Sequence, residues 1–336
     1  MPRPGPLNLI TDIPGLRVGH ATDAAAASGV TTLLLPGPWT ASVDVRGGGP
    51  GVRETAALEP ESLNSIAHAI VLAGGSVFGL AAADGVATSL SHKGVGLKLF
   101  AHSPHIPIVP SAVLHDLANE GDKQWGMTPP YRDLGIGSVE AAGQEFALGS
   151  VGAGRGAAAG KIKGGIGSAS LDLGDGIMVG ALVAANPVGS ALMPDGKTYW
   201  AWPFEFEAEF GGHRPLGPAD AHDPIPDLSR LLQIGRMKPG ANTTIAVVAA
   251  SVSLTPAECK RLAIMAQDGV SRAVRPAHTP FDGDTVFAVS EGVDLPPKGT
   301  ERAVQIARIG SAAADCLARA IARAVFHSLA ATKAAV

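Results

Sequence analysis

The segment 243–252, TTIAVVAASV, constrains the fold more than any other stretch of the chain. It carries no charge and no proline, and it offers no polar face to water. A strand of this kind cannot be an exposed sheet edge and needs cover on both faces. Directly after it, Thr255, Pro256 and Glu258 form a capping box with proline at the first helical position, which predicts a helix to about Val274. A second strand is predicted over 284–290 and a long alanine-rich helix over 301–331. Upstream, 31–35, 69–72, 96–100 and 176–184 read as buried strands, each bounded by Gly, Pro or Asp, with helices over 77–90 and 139–147. The pattern is α/β, with sheets covered by helices and no repeat of fixed period.

The residues available to fill such layers are small. Hydrophobic residues make up 46% of the 336 positions but aromatics only 4%, while Gly (43) and Pro (26) are abundant. This suits close packing with many tight turns. A disordered chain is excluded because the apolar content is too high, and collagen because the glycines have no period of three. With 26 basic against 30 acidic residues, a net charge of −4 and no Lys/Arg run, a nucleic-acid partner is not expected. Cys259 and Cys316 fall in helical segments and form neither a disulfide framework nor a zinc site, which points to a reducing compartment. Pro2, Pro4, Pro6 and Asp12 leave no apolar stretch for a secretory signal, and the run 69–83 is shorter than the roughly 20 residues a bilayer requires. The expectation is a soluble cytoplasmic protein without membrane, metal or cofactor.

Between 203 and 240 the chain is proline-rich and aperiodic, a long loop with one helical turn near 227–234. It opens abruptly onto the strand at Asn242-Thr243-Thr244. Other constellations are weaker. Gly160-Lys161-Ile162 ends like a phosphate-binding loop, but Arg155 stands where glycine is needed and Ile162 where Ser/Thr is needed. Gly152, Gly154 and Ala157, with Asp172 beyond, fit a dinucleotide fingerprint and make an NAD(P)-binding oxidoreductase the distant alternative. That motif must open a helix, yet 156–167 contains five glycines. His102 and His105 are separated by Pro104 and have no third ligand nearby, and Asp282-Gly283-Asp284 reads equally as a turn before a strand.

A threonine at the start of a buried strand, behind a long loop, is the layout of an N-terminal nucleophile. The Thr243 hydroxyl would attack the Asn242 carbonyl, carry the acyl group as an ester, and release it by hydrolysis. The freed α-amine, with a reference pKa of about 7.7–8.0, could then accept the hydroxyl proton without a histidine.

These residues have a familiar order. Asn242-Thr243-Thr244-Ile245 and His278-Thr279-Pro280-Phe281-Asp282-Gly283-Asp284-Thr285-Val286-Phe287 resemble the DmpA-type self-cleaving aminopeptidases, peptidase family S58, which include β-peptidyl aminopeptidases and nylon-oligomer hydrolases. The likeness runs nearly end to end: Asn8-Leu9-Ile10-Thr11-Asp12, Val18-Gly19-His20, Asp44-Val45-Arg46-Gly47-Gly48, Leu72-Ala73-Gly74-Gly75-Ser76, Gly121-Asp122-Lys123, Gly152-Ala153-Gly154 with Gly160-Lys161, and Ala185-Asn186-Pro187-Val188-Gly189. The resemblance implies a four-layer α-β-β-α sandwich of the Ntn-like type, in a single hydrolase domain spanning 1–336. Autocleavage at Asn242/Thr243 would leave an α chain of 1–242 and a β chain of 243–336, intertwined. It further implies Thr243 as nucleophile and Asn186 as an amide donor to the oxyanion, whose removal typically costs about 2.7–4 kcal/mol in the transition state. Lys161 is implied as a cation depressing the amine pKa, and Asp282 and Asp284 as groups holding the nucleophile and its amine. His115 stands where the family often has a substrate-contacting tyrosine. The implied substrates are short peptides, amino-acid amides, β-peptides or ω-amino-acid oligomers. Threonine at 243 and the two aspartates lean toward the polyamide-hydrolysing branch. The implied assembly is a homo-oligomer of αβ units, with a tetramer favoured.

Overall fold

The computed structural model describes residues 1–217, 223–231 and 242–334. Strands β1 (Arg17–Asp23) and β2 (Ser28–Val45) form an antiparallel pair, followed by β3 (Gly51–Arg53) and β4 (Ile66–Ala73). Helix α1 (Ala81–His92), strand β5 (Ser111–Val113) and helix α2 (Tyr131–Glu140) come next. A small hairpin, β6 (Ala158–Ala159) and β7 (Ile162–Lys163), precedes the long strands β8 (Gly165–Asp172) and β9 (Met178–Asn186). Strand β10 (Thr243–Ser253) leads to α3 (Pro256–Ala266), α4 (Asp268–Ala273), β11 (Thr285–Asp294) and the long helix α5 (Thr300–Ala334).

The strands follow the order β3-β5-β4-β2-β11-β10-β9-β8, with β1 also on β2. Strand β2 joins two sheets. Residues up to Leu34 pair with β1 and β4, Trp39 and Thr40 pair with β4 again, and Thr40–Val45 pair with β11, while Pro36, Gly37 and Pro38 interrupt the ladder to β4 between Leu34 and Trp39. Two missing donors and an irregular register bend a strand, and here the bend lets one strand serve both layers.

Alternating side chains then build three apolar seams. Leu33, Ile70 and Leu72 of one sheet meet Leu182, Ile245, Val247 and Phe287 of the other. On the outer face of the first sheet, Val30, Ala69 and Val71 pack against Ala82, Val86 and Val139 of α1 and α2. On the outer face of the second, Val183, Val248 and Ala250 pack against Leu262, Val270, Leu317 and Ile321 of α3–α5. This is the expected α-β-β-α order. Small residues set the spacing: a Cβ on Gly167 would lie 1.9 Å from the Ala320 carbonyl oxygen of α5, so the helix sits directly on the sheet there.

Most elements match the sequence expectations, and the 255–274 segment is broken only at Gln267, between α3 and α4. The capping box is present, with Thr255 Oγ1 accepting from the Glu258 N–H at 3.3 Å and Glu258 Oε2 accepting from the Thr255 N–H at 2.9 Å. Three expectations need correction. Residues 96–100 form no strand; they turn around a single bridge between Leu97 and Ile106, with Leu99 and Phe100 exposed. The helix expected over 139–147 is α2 instead, and it ends at Glu140 because Gly143 bridges to Val18 of β1. The helix expected from 77 starts as a 3-10 turn (Ser76–Leu80) before α1. In the proline-rich region the chain makes a short 3-10 turn, Trp202–Phe204, and a turn at 227–228; residues 232–234 of the expected helical turn lie outside the described residues.

Candidate active site

Strands β10 and β11 run parallel, with Ile245 opposite Thr285, and the same register continues to a bridge between Asn242 and Asp282. Residues far apart in sequence thus come side by side: Thr243 beside Gly283, and Thr244 beside Asp284. On the other flank β9 pairs antiparallel with β10, and Thr243 faces Asn186. The nucleophile candidate stands at the start of an interior strand, between the two segments that carry the other candidates.

Thr243 is 2% exposed, and its Oγ1 donates to the carbonyl of Asn242. That carbonyl also accepts the Gly283 N–H at 3.0 Å. The carbonyl of the Asn242–Thr243 peptide therefore accepts both a backbone N–H and the adjacent hydroxyl. Asn242 is fully buried, yet neither atom of its carboxamide has a partner among the described residues. Leaving such groups unsatisfied costs about 1–3 kcal/mol.

The two aspartates are held by different donors. Asp282 Oδ1 accepts the Val188 N–H at 3.0 Å, and Oδ2 accepts the Thr279 hydroxyl at 2.6 Å and the Thr279 N–H at 3.1 Å. Burial, and then the Asp284 carboxylate, push its pKa up to about 6. Asp284 Oδ1 accepts the Thr244 N–H at 2.7 Å, one residue from the Thr243 nitrogen, while Oδ2 lies 2.8 Å from His278 Nδ1. The glycine turn after β2 clasps this loop. Arg46 N–H donates to the Asp284 carbonyl at 3.0 Å and Gly49 N–H to that of Asp282 at 2.8 Å, and a Cβ on Gly47 would lie 2.2 Å from the Asp284 nitrogen.

Asn186 is 1% exposed and oriented from both ends. Its Oδ1 accepts the Ala158 N–H at 2.9 Å, and its Nδ2 donates to the His115 carbonyl at 3.3 Å. His115 and Thr243 line the same cavity of about 420 Å³, whose walls include Val52, Val77, Leu80 and Val113. Gly75, at φ +81°, and Ser76, at φ 52°, turn the chain into this wall. A Cβ on Gly75 would strike the Tyr131 ring at 2.1 Å, so only glycine fits. Buried Asp116 fixes the turn by accepting the Gly75 N–H and the Ser28 hydroxyl, each at 2.7 Å.

Thr243, Asn186, Asp282 and Asp284 thus meet at one end of β10, with His115 across the cavity. Lys161 is exposed in the β6–β7 turn and lines a neighbouring cleft, and its backbone N–H donates to Leu228. Sequence reasoning gave no role to Gly283, His278, Ser76 or Arg230. The first two sit inside the quoted 278–287 motif, so the signal was present. Gly152–Gly154 form a 3-10 turn that leads into the β6–β7 hairpin, so the dinucleotide fingerprint opens no helix and that alternative falls. Among the described residues no cluster of three potential metal ligands occurs, and no helix is long and apolar enough to cross a membrane.

Comparison with known proteins agrees with the geometry. The sequence profile of peptidase family S58 matches residues 8–335. An uncharacterized aminopeptidase of Mycobacterium tuberculosis is 42% identical over 96% of this chain and 94% of its own length. A 6-aminohexanoate-oligomer endohydrolase of Agromyces sp. is 30% identical over 85% of this chain and 76% of its own. Among solved structures, a β-aminopeptidase of Burkholderia sp. superposes with a TM-score of 0.69 at 22% identity, covering 96% of this chain and 88% of that one. The L-aminopeptidase D-Ala-esterase/amidase of Ochrobactrum anthropi, a variant of the Ntn hydrolase fold, gives 0.68 at 20% identity, covering 97% and 88%. At those identities the likeness shows the fold.

Proposed function

The chain belongs to peptidase family S58, and from that premise we propose that it is a self-processing N-terminal-nucleophile amidohydrolase acting through Thr243. In processing, Oγ1 forms a bond to the Asn242 carbonyl carbon and gives up its proton, and the C–N bond to Thr243 breaks as its nitrogen gains one. Water then cleaves the ester. The products are chain 1–242 with a new carboxylate and chain 243–336 with a free threonine amine. In turnover the same hydroxyl attacks a substrate amide, the new amine takes its proton and passes it to the leaving amine as the C–N bond breaks, and water then cleaves the acyl-enzyme ester. Asn186 Nδ2 is the side-chain donor to the oxyanion, and Asp284 anchors the backbone beside the amine.

One observation carries the reading: the Asn242 carbonyl is held by the Gly283 N–H at 3.0 Å with the Thr243 hydroxyl against it. The unsatisfied Asn242 carboxamide adds to it, because scission frees that residue to leave its buried site. The substrate class proposed is short peptides or amino-acid amides. Threonine at 243 and the two aspartates favour ω-amino-acid oligomers as a second class, and the 30% identical relative is named for such an activity. The proposal includes one hydrolase domain, assembly as a homo-oligomer of αβ units, and a cytoplasmic setting, the last supported by two buried free thiols, Cys259 and Cys316.

The test is the purified protein on a denaturing gel. Bands of roughly 24 and 10 kDa are expected, dividing 33.9 kDa in proportion to chain length. Thr243→Ala should give one full-length band and no hydrolysis of amino-acid p-nitroanilides. An active wild-type protein that stays intact would overturn the proposal.

A further inference from the structure

We propose that the cleft on the far side of Asn186 is a carboxylate-binding subsite that receives the free carboxyl end of the substrate's leaving group. The inference rests on Thr243 as nucleophile and adds which substrates that site takes. The cleft encloses about 890 Å³ and is lined by the cations Arg155, Lys161, Lys163 and Arg230, with Glu120 the one acidic side chain among its described lining residues. In a chain of net charge −4 this clustering of cations runs against the overall balance.

Arg230 ties the cleft to the active site. Its Nη2 donates to the carbonyls of Ala158 at 2.9 Å, Pro187 at 3.0 Å and Asn186 at 3.4 Å, and its buried Nε has no partner among the described residues. Carbonyl partners position the guanidinium without neutralising it, and the Asp282 carboxylate is the one acidic group that acts on it among the described residues. Burial lowers its pKa to about 10, so it stays charged at neutral pH.

The carboxamide of Asn186 bonds to one lining residue of each of two spaces. On one side Nδ2 reaches His115, which lines the cavity with Thr243; on the other Oδ1 is held by Ala158, which lines the basic cleft. In this proposal a substrate carbonyl at Thr243 has a cavity of mixed polarity on one flank, walled by Ser76 and His115 as well as Val52, Val77, Leu80 and Val113, and its leaving part extends past Asn186 toward the cations. The free carboxylate of a short peptide or an ω-amino-acid oligomer belongs to the leaving part, and charge-assisted hydrogen bonds from cations in a cleft recognise such a group. An amide- or anilide-ended substrate forgoes that contact.

Binding of alanyl-leucine and of alanyl-leucinamide to the processed protein, measured as competition against hydrolysis of an amino-acid p-nitroanilide at low and high salt, tests this on the mature site. The free acid should bind about tenfold tighter than the amide, and only its affinity should fall with salt. Arg155→Gln/Lys163→Gln should weaken the acid by about tenfold and leave the amide within about twofold. Equal affinities in the unsubstituted cleft, or a double variant that weakens both ligands alike, would overturn the subsite. Steady-state kinetics on the processed enzyme separates the two readings. Hydrolysis of the p-nitroanilide with no acid preference among the competitors defeats the subsite alone, whereas p-nitroanilide hydrolysis that persists in Thr243→Ala defeats the nucleophile alone.

Discussion

Gly283→Ala tests the geometry at the proposed scissile bond. The new methyl group would lie 2.7 Å from the Gly49 carbonyl oxygen, 2.9 Å from Thr243 Oγ1 and 3.1 Å from Pro50 Cα, whereas ordinary contact starts near 3.4 Å. The position has no positive φ, so the change tests space alone. Gly49 is fixed by its own N–H to the Asp282 carbonyl at 2.8 Å, so relief must come from Thr243 or from the 282–284 backbone. Either movement, about half an ångström, separates the hydroxyl from its target or lengthens the Gly283 N–H contact to Asn242. Misplacement of about 1 Å costs roughly a hundredfold in rate, so processing should slow by about 10–100-fold. The assay follows loss of the full-length band over time after purification. Gly37→Ala, where an added Cβ meets nothing within 4 Å, is the control and should process normally. Processing of Gly283→Ala within twofold of wild type would refute the geometric argument.

Two further perturbations probe the fold beneath the site. Arg319 is fully buried and bonds Glu209 at 2.6 and 3.1 Å, so Glu209→Gln strips a buried cation of its counter-ion, at about 3–5 kcal/mol. Spread over 336 residues at about 2.1 cal/mol/K each, that lowers the thermal midpoint by about 4–7 °C. Arg3→Ala, which breaks an exposed 3.4 Å pair with Asp172, should move it by less than about 1 °C; equal shifts would contradict the ranking. For pH, Asp282 is pushed up to about 6, so the fold holds this proton more tightly than the unfolded chain does. The resulting stability is complete below about pH 4 and is lost as pH rises through 6. Asp282→Asn lacks that dependence, so its midpoint relative to wild type should climb between pH 4 and 6; a constant difference would count against the assignment.

The parts of this molecule that were legible in the sequence are those written locally. Strand β10, the Thr255 capping box and helix α5 follow from apolar runs and cap residues that tertiary structure did not override. Strand β2 was only partly legible, because Pro36, Gly37 and Pro38 read as a terminator while the chain uses them to pass from one sheet to the other. At 96–100 the letters were apolar but the residues are surface ones, since periodicity does not reveal which side of a run faces solvent. Helix α2 stops short of the apolar letters after Glu140 because pairing with β1 takes the backbone instead. In the candidate site, the hydroxyl was read from its place at the strand start and both aspartates only from the family resemblance, and their adjacency is a product of the parallel β10–β11 register, which no local spacing encodes. Arg230 and His278 escaped for the same reason: their roles are defined by carbonyls and a carboxylate that the fold brings to them.

Automated N-terminal sequencing of the small fragment from purified wild-type protein addresses the proposed chemistry most directly. Thr-Thr-Ile-Ala-Val should be read from its first cycle, and that fragment should be absent from Thr243→Ala. A fully active enzyme whose only amino terminus is that of the intact chain, or a fragment that begins at any residue other than 243, would contradict the account.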